Sequence, residues 1–366
     1  MSTTTIRESA TRSDAGLVGT HAPQPDGHAK LAAIEAALAR RHRPHTVNHR
    51  LTAIAVGLWG VDAALLWLVP DTTDFHVKGG ATVAVLASIT AIGLAISWAA
   101  STRPTRRWGL ASSRWLGTWS RWWILLAAVL GGWVLTTQKT GWLRPPYFPP
   151  PGQLFAEAWS DRQLLLGSVG NSLWLLFLGL TLGTVAGLAT GLWMGWSKRV
   201  GYWLNPIVKY IGPVPTMAWI PIVFIVFPNS FLAAVFLIVL TVWFPMTVMT
   251  NAGIRSVPKG YFDVCQTLGA STPFLIFRVS LPAALPSIFT GMFMALPTAF
   301  VTLTIAETLG VNSGLGWYIN WKKGWSAYPA MYAAIAIMIV LCGSLLTLQL
   351  AIRNRVLAWQ KDLTRW

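Results

Sequence analysis

Long apolar runs separated by short polar segments dominate the chain after its first fifty residues. A helix needs about 20 consecutive apolar residues to cross the hydrocarbon core of a bilayer. Eight runs come close to this length or exceed it, at about residues 51–69, 81–100, 122–137, 164–195, 203–227, 231–250, 283–306 and 329–352. The pattern predicts an all-α integral membrane protein with about eight transmembrane helices, preceded by a polar tail over residues 1–50.

The composition excludes an ordinary soluble domain, because 54% of the residues are hydrophobic and only 11% are charged. The 22 Trp and 32 Gly residues suit membrane helices, since indole rings settle at the interface and glycine lets helices approach closely. The polar tail lacks the apolar core of a secretory signal. Later spans are therefore expected to direct insertion.

The basic residues carry topological information. A net charge of +16 would suit a nucleic-acid-binding protein if these residues formed one patch, but they lie between the apolar runs. The positive-inside rule then applies, and it places both termini in the cytoplasm. With that orientation only six of the 28 Lys and Arg residues lie outside: Lys78, Lys139, Arg144, Arg162, Lys322 and Lys323.

Catalytic and metal-binding patterns are absent from the sequence. It contains no GxSxG, HExxH or GxxxxGK[ST] motif, and all six His lie within the first 76 residues. Cys265 and Cys342 are too few for a disulfide framework and are interpreted as structural. We therefore expect no catalysis, no ATP hydrolysis, and no metal or cofactor in this chain.

The fourth run carries a glycine at every fourth position. Four residues advance about 400° around a helix, so these glycines form a slowly winding groove. The groove predicts close packing against another helix, with a sliding surface used in transport as the functional alternative. The positions are Gly179, Gly183, Gly187, Gly191 and Gly195.

The outer loop between the third and fourth runs contains five prolines within residues 144–152. Proline cannot continue a helix, so this segment predicts a stiff connector. Residues 154–159 then predict a short helix along the outer surface.

The inner loop between the sixth and seventh runs predicts two short amphipathic helices. Pro258 suits the start of the first and Gly269 its end, and the second would run from about Pro273 to Ser280. Such helices at a membrane face fit a groove on a soluble partner, with apolar anchors such as Phe262 and Leu268 buried in it.

This loop resembles the coupling segment of the inner-membrane permeases of ATP-binding-cassette importers. Their signature is Glu-Ala-Ala, three residues, Gly, nine residues, then Ile-x-Leu-Pro. Here Val264 and Cys265 replace the two alanines, and a shorter Asp replaces Glu, which shortens its reach toward a basic group on the ATPase. The matching segment contains Asp263, Gly269, Ala270, Val279, Leu281 and Pro282.

The resemblance covers about residues 120–366 and is closest to the nitrate/sulfonate/taurine branch of these permeases. The motifs that carry it are Asn205-Pro206, Gly212-Pro213-Val214-Pro215, Ala218-Trp219-Ile220-Pro221, Leu268-Gly269-Ala270-Ser271, Leu281-Pro282-Ala283-Ala284-Leu285-Pro286, Glu307 and Ser313-Gly314-Leu315-Gly316.

The resemblance implies a type I (MetI-like) permease core over residues 121–366, with coupling helices at about 257–281 and an accessory two-span region over 51–120. It also implies an assembly in the bacterial inner membrane: two permease copies, usually identical, two ATPase subunits that bind ATP and Mg²⁺, and an extracytoplasmic binding protein. The implied solute is a small anion or related compound such as nitrate, a sulfonate or taurine.

Polar groups within the spans are candidates for the pathway. Glu307 at the outer end of the seventh run, with Thr302 and Thr304, predicts an outer gate or a docking point for the binding protein; capping or packing is the equal alternative. Asp62 in the first run is interpreted as a buried structural contact.

The proline-rich break in the fifth run gives two more candidates, Pro215 and Trp219, because broken helices free backbone groups that can bind a solute. Simple kinks are the alternative. Outside, Lys322, Lys323 and Arg144 would attract an anion, an acidic binding protein or lipid head groups.

Two other classes remain as alternatives. A gradient-driven secondary transporter or channel would want paired acidic residues or a His chain inside the spans, and only Asp62 qualifies. A membrane-embedded enzyme would want clustered catalytic groups at one depth, and none can be assembled. Dependence on nucleotide separates the three classes.

Overall fold

The computed structural model describes residues 48–71, 79–102 and 107–359. All regular secondary structure in this part of the chain is helical, which confirms the all-α prediction. The predicted tail over residues 1–50 lies almost entirely outside the described residues.

Three helices cover the first three predicted runs: α1 is His49–Leu68, α2 is Gly80–Ser101 and α3 is Arg107–Val134. A π-helical turn, Leu135–Lys139, continues α3. Asp71 lies in the segment after α1 and ties it to this turn, because its Oδ1 accepts from Lys139 Nζ (2.7 Å) and Gln138 Nε2 (2.9 Å).

The glycine-rich fourth run forms the long helix α5, and the short outer helix predicted at residues 154–159 precedes it as α4. The helices of this part of the chain are α4, Pro151–Ser160; α5, Arg162–Trp196; α6, Lys198–Ile211; α7, Thr216–Val226; and α8, Ser230–Arg255.

The last part of the chain comprises the coupling segment and two more long helices. Its helices are α9, Lys259–Thr267; α10, Thr272–Leu309, with a π-helical turn at Leu275–Ser280; α11, Leu315–Gly324; and α12, Tyr328–Val356.

Among the described residues, six helices are long and apolar enough to cross a membrane: α1, α2, α5, α8, α10 and α12. The α6–α7 pair counts as a seventh if its two halves form one broken span. The remaining predicted run, 122–137, corresponds to the second half of α3 and the start of its π-helical turn.

The predicted proline-rich break in the run over residues 203–227 is confirmed, and it divides the run into two helices. The axes of α6 and α7 differ by 102° across the break at residues 212–215. Pro213 and Pro215 lack the N–H that a continuous helix needs, and each also disfavours helical geometry at the residue before it.

The prediction of a separate second helix from Pro273 to Ser280 is also wrong, because these residues are the first turns of α10. Pro282 would break an ordinary helix, but the π-helical turn directly before it changes the hydrogen-bond spacing there. The second half of the coupling segment, from Thr272, is therefore part of the same continuous helix as the membrane span.

The chain divides into two compact units, residues 1–56 with 93–124, and residues 57–92 with 125–366. In the first, Trp98 Nε1 donates to His49 Nδ1 (3.2 Å). These units cut through α1, α2 and α3, so they differ from the predicted boundary near residue 120. The predicted regions 1–50, 51–120 and 121–366 stay a prediction.

The core of the larger unit is the contact of α5 with α8. Each of the five glycines of α5 lies against one side chain of α8, and a Cβ added at any of them would overlap it. This is close backbone packing of the kind small residues permit in membranes. In order, the five partners are Ile238, Val242, Met246, Thr250 and Ile254.

Candidate functional site

Helix α9 of the coupling segment ends in a glycine turn. Gly269 has φ of +80°, and its N–H donates to the carbonyl of Gln266 (2.9 Å), while the N–H of Ala270 donates to the carbonyl of Cys265 (3.0 Å). These two bonds form a Schellman motif, which satisfies the last carbonyls of the helix. A side chain at residue 269 would strain this turn, because L-residues rarely adopt positive φ.

The surface of the coupling segment is rich in exposed apolar side chains. No residue of α9 is buried, and Leu268 at its end is 81% exposed. Phe262, predicted as an anchor for a partner, instead packs its ring edge against Trp196 at the end of α5, with the ring centroids 5.9 Å apart. The apolar side chains that remain open are Tyr261, Val264, Leu268, Phe274 and Phe277.

The other residues of the signature divide between surface and core. Asp263 is exposed on α9. Val279, Leu281 and Pro282 lie at the π-helical turn and the start of the regular part of α10, where they are half-buried, and Leu281 packs against the core formed by α5, α8 and α10. The structure therefore places one half of the signature on the surface and the other at the base of a span.

Glu307 is buried near the C-terminal end of α10, where it connects three helices. Its Oε1 accepts from Ser172 Oγ of α5 (2.6 Å), and its Oε2 accepts from the N–H of Gly316 (2.7 Å). Ser172 Oγ accepts in turn from the N–H of Leu315 (2.8 Å). Together, Ser172 and Glu307 cap the first N–H groups of α11. Gly314, with φ of +106°, has no space for a Cβ beside the carboxylate.

This geometry supports the capping alternative for Glu307 over a gate. The hydroxyl of Thr304, predicted beside it, is used within the helix packing: it donates to the carbonyl of Phe300 (2.8 Å) and contacts Met338 Sδ of α12 (3.4 Å). Ser172 is a member of this cap that sequence analysis missed, and nothing in its spacing marks it.

A cavity of about 480 Å³ lies beside the break between α6 and α7. Pro215 and Thr302, two of the predicted pathway residues, line it. Trp219 lines a second cavity of about 340 Å³, and its indole Nε1 is buried without a hydrogen-bond partner. The wall of the first cavity comes from the break at residues 211–217, from α8 between residues 240 and 245, and from α10 between residues 294 and 305.

Three threonine hydroxyls from three helices meet at this cavity. Thr241 Oγ1 of α8 lies 2.8 Å from Thr216 Oγ1 of α7 and 3.0 Å from Thr302 Oγ1 of α10. Thr241 Oγ1 also donates to the carbonyl of Leu237 (2.9 Å). We call these three residues the threonine triad. Sequence analysis missed Thr216 and Thr241, because an isolated threonine in an apolar helix carries no motif.

On the side of the chain that the sequence predicts to lie outside, Lys322 is paired rather than open to an anion. Its Nζ lies 2.5 Å from Asp161 Oδ2, which also accepts from the buried Tyr318 hydroxyl (2.7 Å). Burial raises the pKa of Asp161, but these two hydrogen bonds and the charge of Lys322 lower it by more. Burial, and then the bond to Asp161, raises the pKa of Tyr318. Lys323 and Arg144 remain exposed.

Asp62 is buried in α1, and its Oδ2 has no hydrogen-bond partner. Its carboxylate lies against Gly131 of α3, where a Cβ would overlap it. These contacts suit the structural interpretation of Asp62. The part of the chain that the structure describes contains no group of three or more His, Cys, Asp or Glu placed to hold a metal.

Comparison with known proteins identifies related chains. The bicarbonate transport system permease protein CmpB of Synechococcus elongatus is 29% identical over 151 residues, which cover 37% of this chain and 54% of that protein. The nitrate import permease protein NrtB of Leptolyngbya laminosa is 31% identical over 146 residues, 37% of this chain and 52% of that protein. The taurine transport system permease protein TauC of Escherichia coli is 30% identical over 161 residues, which cover 42% of this chain and 58% of that protein.

This chain therefore spans about half the length of the curated relatives that it matches. A family model, the binding-protein-dependent transport system inner membrane component, matches residues 167–358, more than half of the chain. The matched segment holds the glycine-lined contact of α5, the coupling segment, the Glu307 cap and the threonine triad. The chain belongs to the family of binding-protein-dependent transport system inner membrane components.

Proposed function

We propose that this chain is the transmembrane permease subunit of an ATP-binding-cassette importer. The observation that carries the proposal is the coupling segment, in which a short exposed helix, α9, ends at the Gly269 turn and residues 268–271 connect it directly to the span α10. Its open apolar side chains, with Leu268 the most exposed, are suited to burial in a groove on a soluble ATPase.

The proposed assembly follows from the family and from the relatives. Two copies of this chain pair as a homodimer in the bacterial inner membrane with both termini in the cytoplasm. Partner subunits bind ATP and Mg²⁺ and hydrolyse the nucleotide, and this chain catalyses no reaction itself. An extracytoplasmic binding protein delivers a small solute of the bicarbonate, nitrate, sulfonate or taurine type.

The helices offer a mechanical route from ATPase to pathway. Movement of α9 would reach α5 through the contact of Phe262 with Trp196, and it would reach the outer side through α10, which is continuous from Thr272 to Leu309. At the far end of α10 the Glu307 cap holds α11. A rigid connection of this kind converts closure of an ATPase dimer into a change of access.

The test is co-purification of the chain from its native membrane, followed by an ATPase assay of the complex. Gly269→Val is expected to reduce ATPase binding or uncouple hydrolysis from uptake, because valine strains the φ of +80°. Gly260→Val is the matched control: this glycine lies in the same coupling segment, also has open space around its Cβ position, and has no positive φ.

Asp263→Lys is a second variant of the same surface, and it should weaken the complex by reversing an exposed charge. A chain that purifies without an ATPase and carries flux in vesicles without ATP would overturn the proposal in favour of a gradient-driven transporter.

A further inference from the structure

The cavity beside the α6–α7 break has polar groups but no charged ones. None of the described residues that line it is Asp, Glu, Lys, Arg or His. The indole N–H of Trp243, also in its wall, is already used, since it donates to Thr190 Oγ1 (3.0 Å). Thr298 also lines the cavity, but its hydroxyl donates within its own helix, to the carbonyl of Ala295 (2.9 Å). The threonine triad is therefore the main source of hydroxyl groups for a solute here.

The hydrogen bonds of the triad can be assigned by counting protons. A threonine hydroxyl has one proton and two lone pairs. When Thr241 donates its proton to the carbonyl of Leu237, the short contacts to Thr216 and Thr302 are bonds that Thr241 accepts. Thr216 and Thr302 are then the donors, one from each side of the triad.

This assignment makes two hydroxyls available to a solute. Thr216 or Thr302 can rotate its proton away from Thr241 toward the cavity, and Thr241 then loses an accepted bond but no donor is left unpaired. Leaving an acceptor lone pair empty is cheaper than burying an unpaired donor. The triad can therefore offer up to two O–H donors and withdraw them when the solute leaves.

The absence of a fixed cation limits the charge that this site accepts. Moving an ion from water into a low-dielectric site carries a Born energy that scales with the square of its charge, so a dianion is penalised roughly fourfold more than a monoanion of the same size. Two neutral hydroxyl donors can compensate a single delocalised charge in part. They cannot compensate two charges.

We infer that the cavity is a passage site for small solutes of net charge −1 or zero, that Thr216 and Thr302 hydrogen-bond the solute there, and that the site rejects dianions. The inference rests on the proposed function, because it identifies the cavity as part of the transport pathway. It adds that the permease itself discriminates by charge, whichever binding protein delivers the solute.

The absence of a fixed cation also makes the affinity of the site for a solute low. Without a cation, nothing holds a monoanion strongly, and a solute that is bound weakly can leave quickly toward the next compartment. A pathway benefits from this property, since conduction requires that a solute enters favourably and also leaves.

The inference can be tested on the purified chain by ³⁵Cl⁻ NMR, with chloride as the probe and nitrate and sulfate as competitors. Chloride is a small monoanion, so the wild type should broaden its resonance. Nitrate should reverse the broadening at a concentration at least about tenfold lower than the concentration of sulfate that has the same effect. Thr302→Val should weaken the broadening about tenfold, the effect of losing one hydrogen bond to a charged group.

Two further variants separate the hydroxyl from the fold. Thr302→Ser keeps the hydroxyl and should retain the broadening. Thr290→Val lies on the same helix, where its hydroxyl donates to the carbonyl of Pro286, and should behave as the wild type. Equal competition by sulfate, no broadening by the wild type, or full broadening by Thr302→Val would each overturn the inference.

This assay needs no ATPase, so its outcome is independent of the proposed function. If anion binding fails while an ATPase still co-purifies, only the charge selectivity is wrong. If charge-selective binding is observed but no ATPase co-purifies, the importer proposal is wrong and the site belongs to another kind of transporter.

Discussion

Glu307 combines the features that make a single residue important for stability in this molecule. Its carboxylate is buried and accepts two hydrogen bonds, and it connects α5, α10 and α11. Glu307→Ala would leave the N–H of Gly316 without its acceptor. We expect a loss of roughly 2 kcal/mol in the free energy of unfolding, measured by thermal unfolding in detergent.

The control for this prediction is Thr290→Val on the same helix, which should change stability by less than about 0.5 kcal/mol. The stability of Glu307→Gln should lie between those of Glu307→Ala and Thr290→Val, because the amide oxygen of glutamine can still accept one hydrogen bond. If Glu307→Ala melts at the wild-type temperature, the cap does not stabilise the fold, and the hypothesis that Glu307 forms an outer gate is favoured instead.

Asp161, directly before α5, makes the stability of the chain depend on pH. Its pKa is lowered below the ordinary value of 3.8 in the folded chain, so folding favours the ionised form. The resulting stabilisation is complete above the ordinary pKa and is lost as pH falls through the folded pKa. Wild type should therefore melt above Asp161→Asn at pH near 7, and the difference should shrink below a pH of about 4.

The measurement is a melting series from about pH 3 to pH 7 on both chains. Asparagine can still accept from Tyr318 but cannot pair with the charge of Lys322, so the variant isolates the ion pair. A melting difference that grows as the pH falls would contradict the assignment.

At the scale of helices, the α5–α8 contact predicts that two glycines of one helix respond in opposite ways to the same substitution. A Cβ at Gly183 would lie 2.7 Å from Val242 Cβ and 2.9 Å from the carbonyl oxygen of Val239, whereas a Cβ at Gly170 meets nothing within 4 Å. Gly183→Ala should destabilise the chain by about 1–3 kcal/mol through overpacking. Gly170→Ala should be neutral or slightly stabilising, because alanine has the higher helix propensity.

Thermal unfolding of the two variants in the same detergent checks this prediction, and each serves as the control for the other. Equal melting temperatures would mean that α5 and α8 separate easily, as the sliding interpretation of the glycine groove requires. A lower temperature for Gly183→Ala alone would favour fixed packing.

Helices were predictable from the sequence to different degrees. Apolar length marked every predicted run, because crossing a bilayer sets a length that composition reveals directly. Apolar length gave no sign of the 102° bend between α6 and α7, and only the prolines of this run indicated a break there. The continuity of α10 also escaped this signal, because Pro282 lies between the predicted helix over residues 273–280 and the predicted run 283–306, and nothing in the sequence marked the π-helical turn before it.

The candidate sites also differ in how far the sequence predicted them. The coupling segment was predictable because its residues are contiguous and carry a spaced motif. The cap and the threonine triad were not, because Ser172 lies 135 positions from Glu307, and Thr241 lies 61 from Thr302. Only the packing of helices brings such residues together, and one sequence contains no record of that packing.

For the whole molecule, the orientation in the membrane is the property on which every functional proposal depends. The coupling segment can meet a cytoplasmic ATPase only if the loop after α8 lies inside. The distribution of basic residues supports this orientation. Trp142, in the loop after α3, and Leu268, at the end of α9, are 80% and 81% exposed, so a thiol at either position would be equally accessible on its own side.

We therefore predict opposite labelling of two cysteine variants made in a chain with Cys265→Ser and Cys342→Ala. In intact cells, a membrane-impermeant thiol reagent should modify Trp142→Cys and should not modify Leu268→Cys. Inside-out vesicles stripped with urea should give the reverse pattern, because urea removes any ATPase that covers Leu268→Cys. Labelling after denaturation in SDS measures the total thiol of each variant, to which the other signals are normalised. Modification of Leu268→Cys in intact cells would place the coupling segment outside, where no ATPase could drive it.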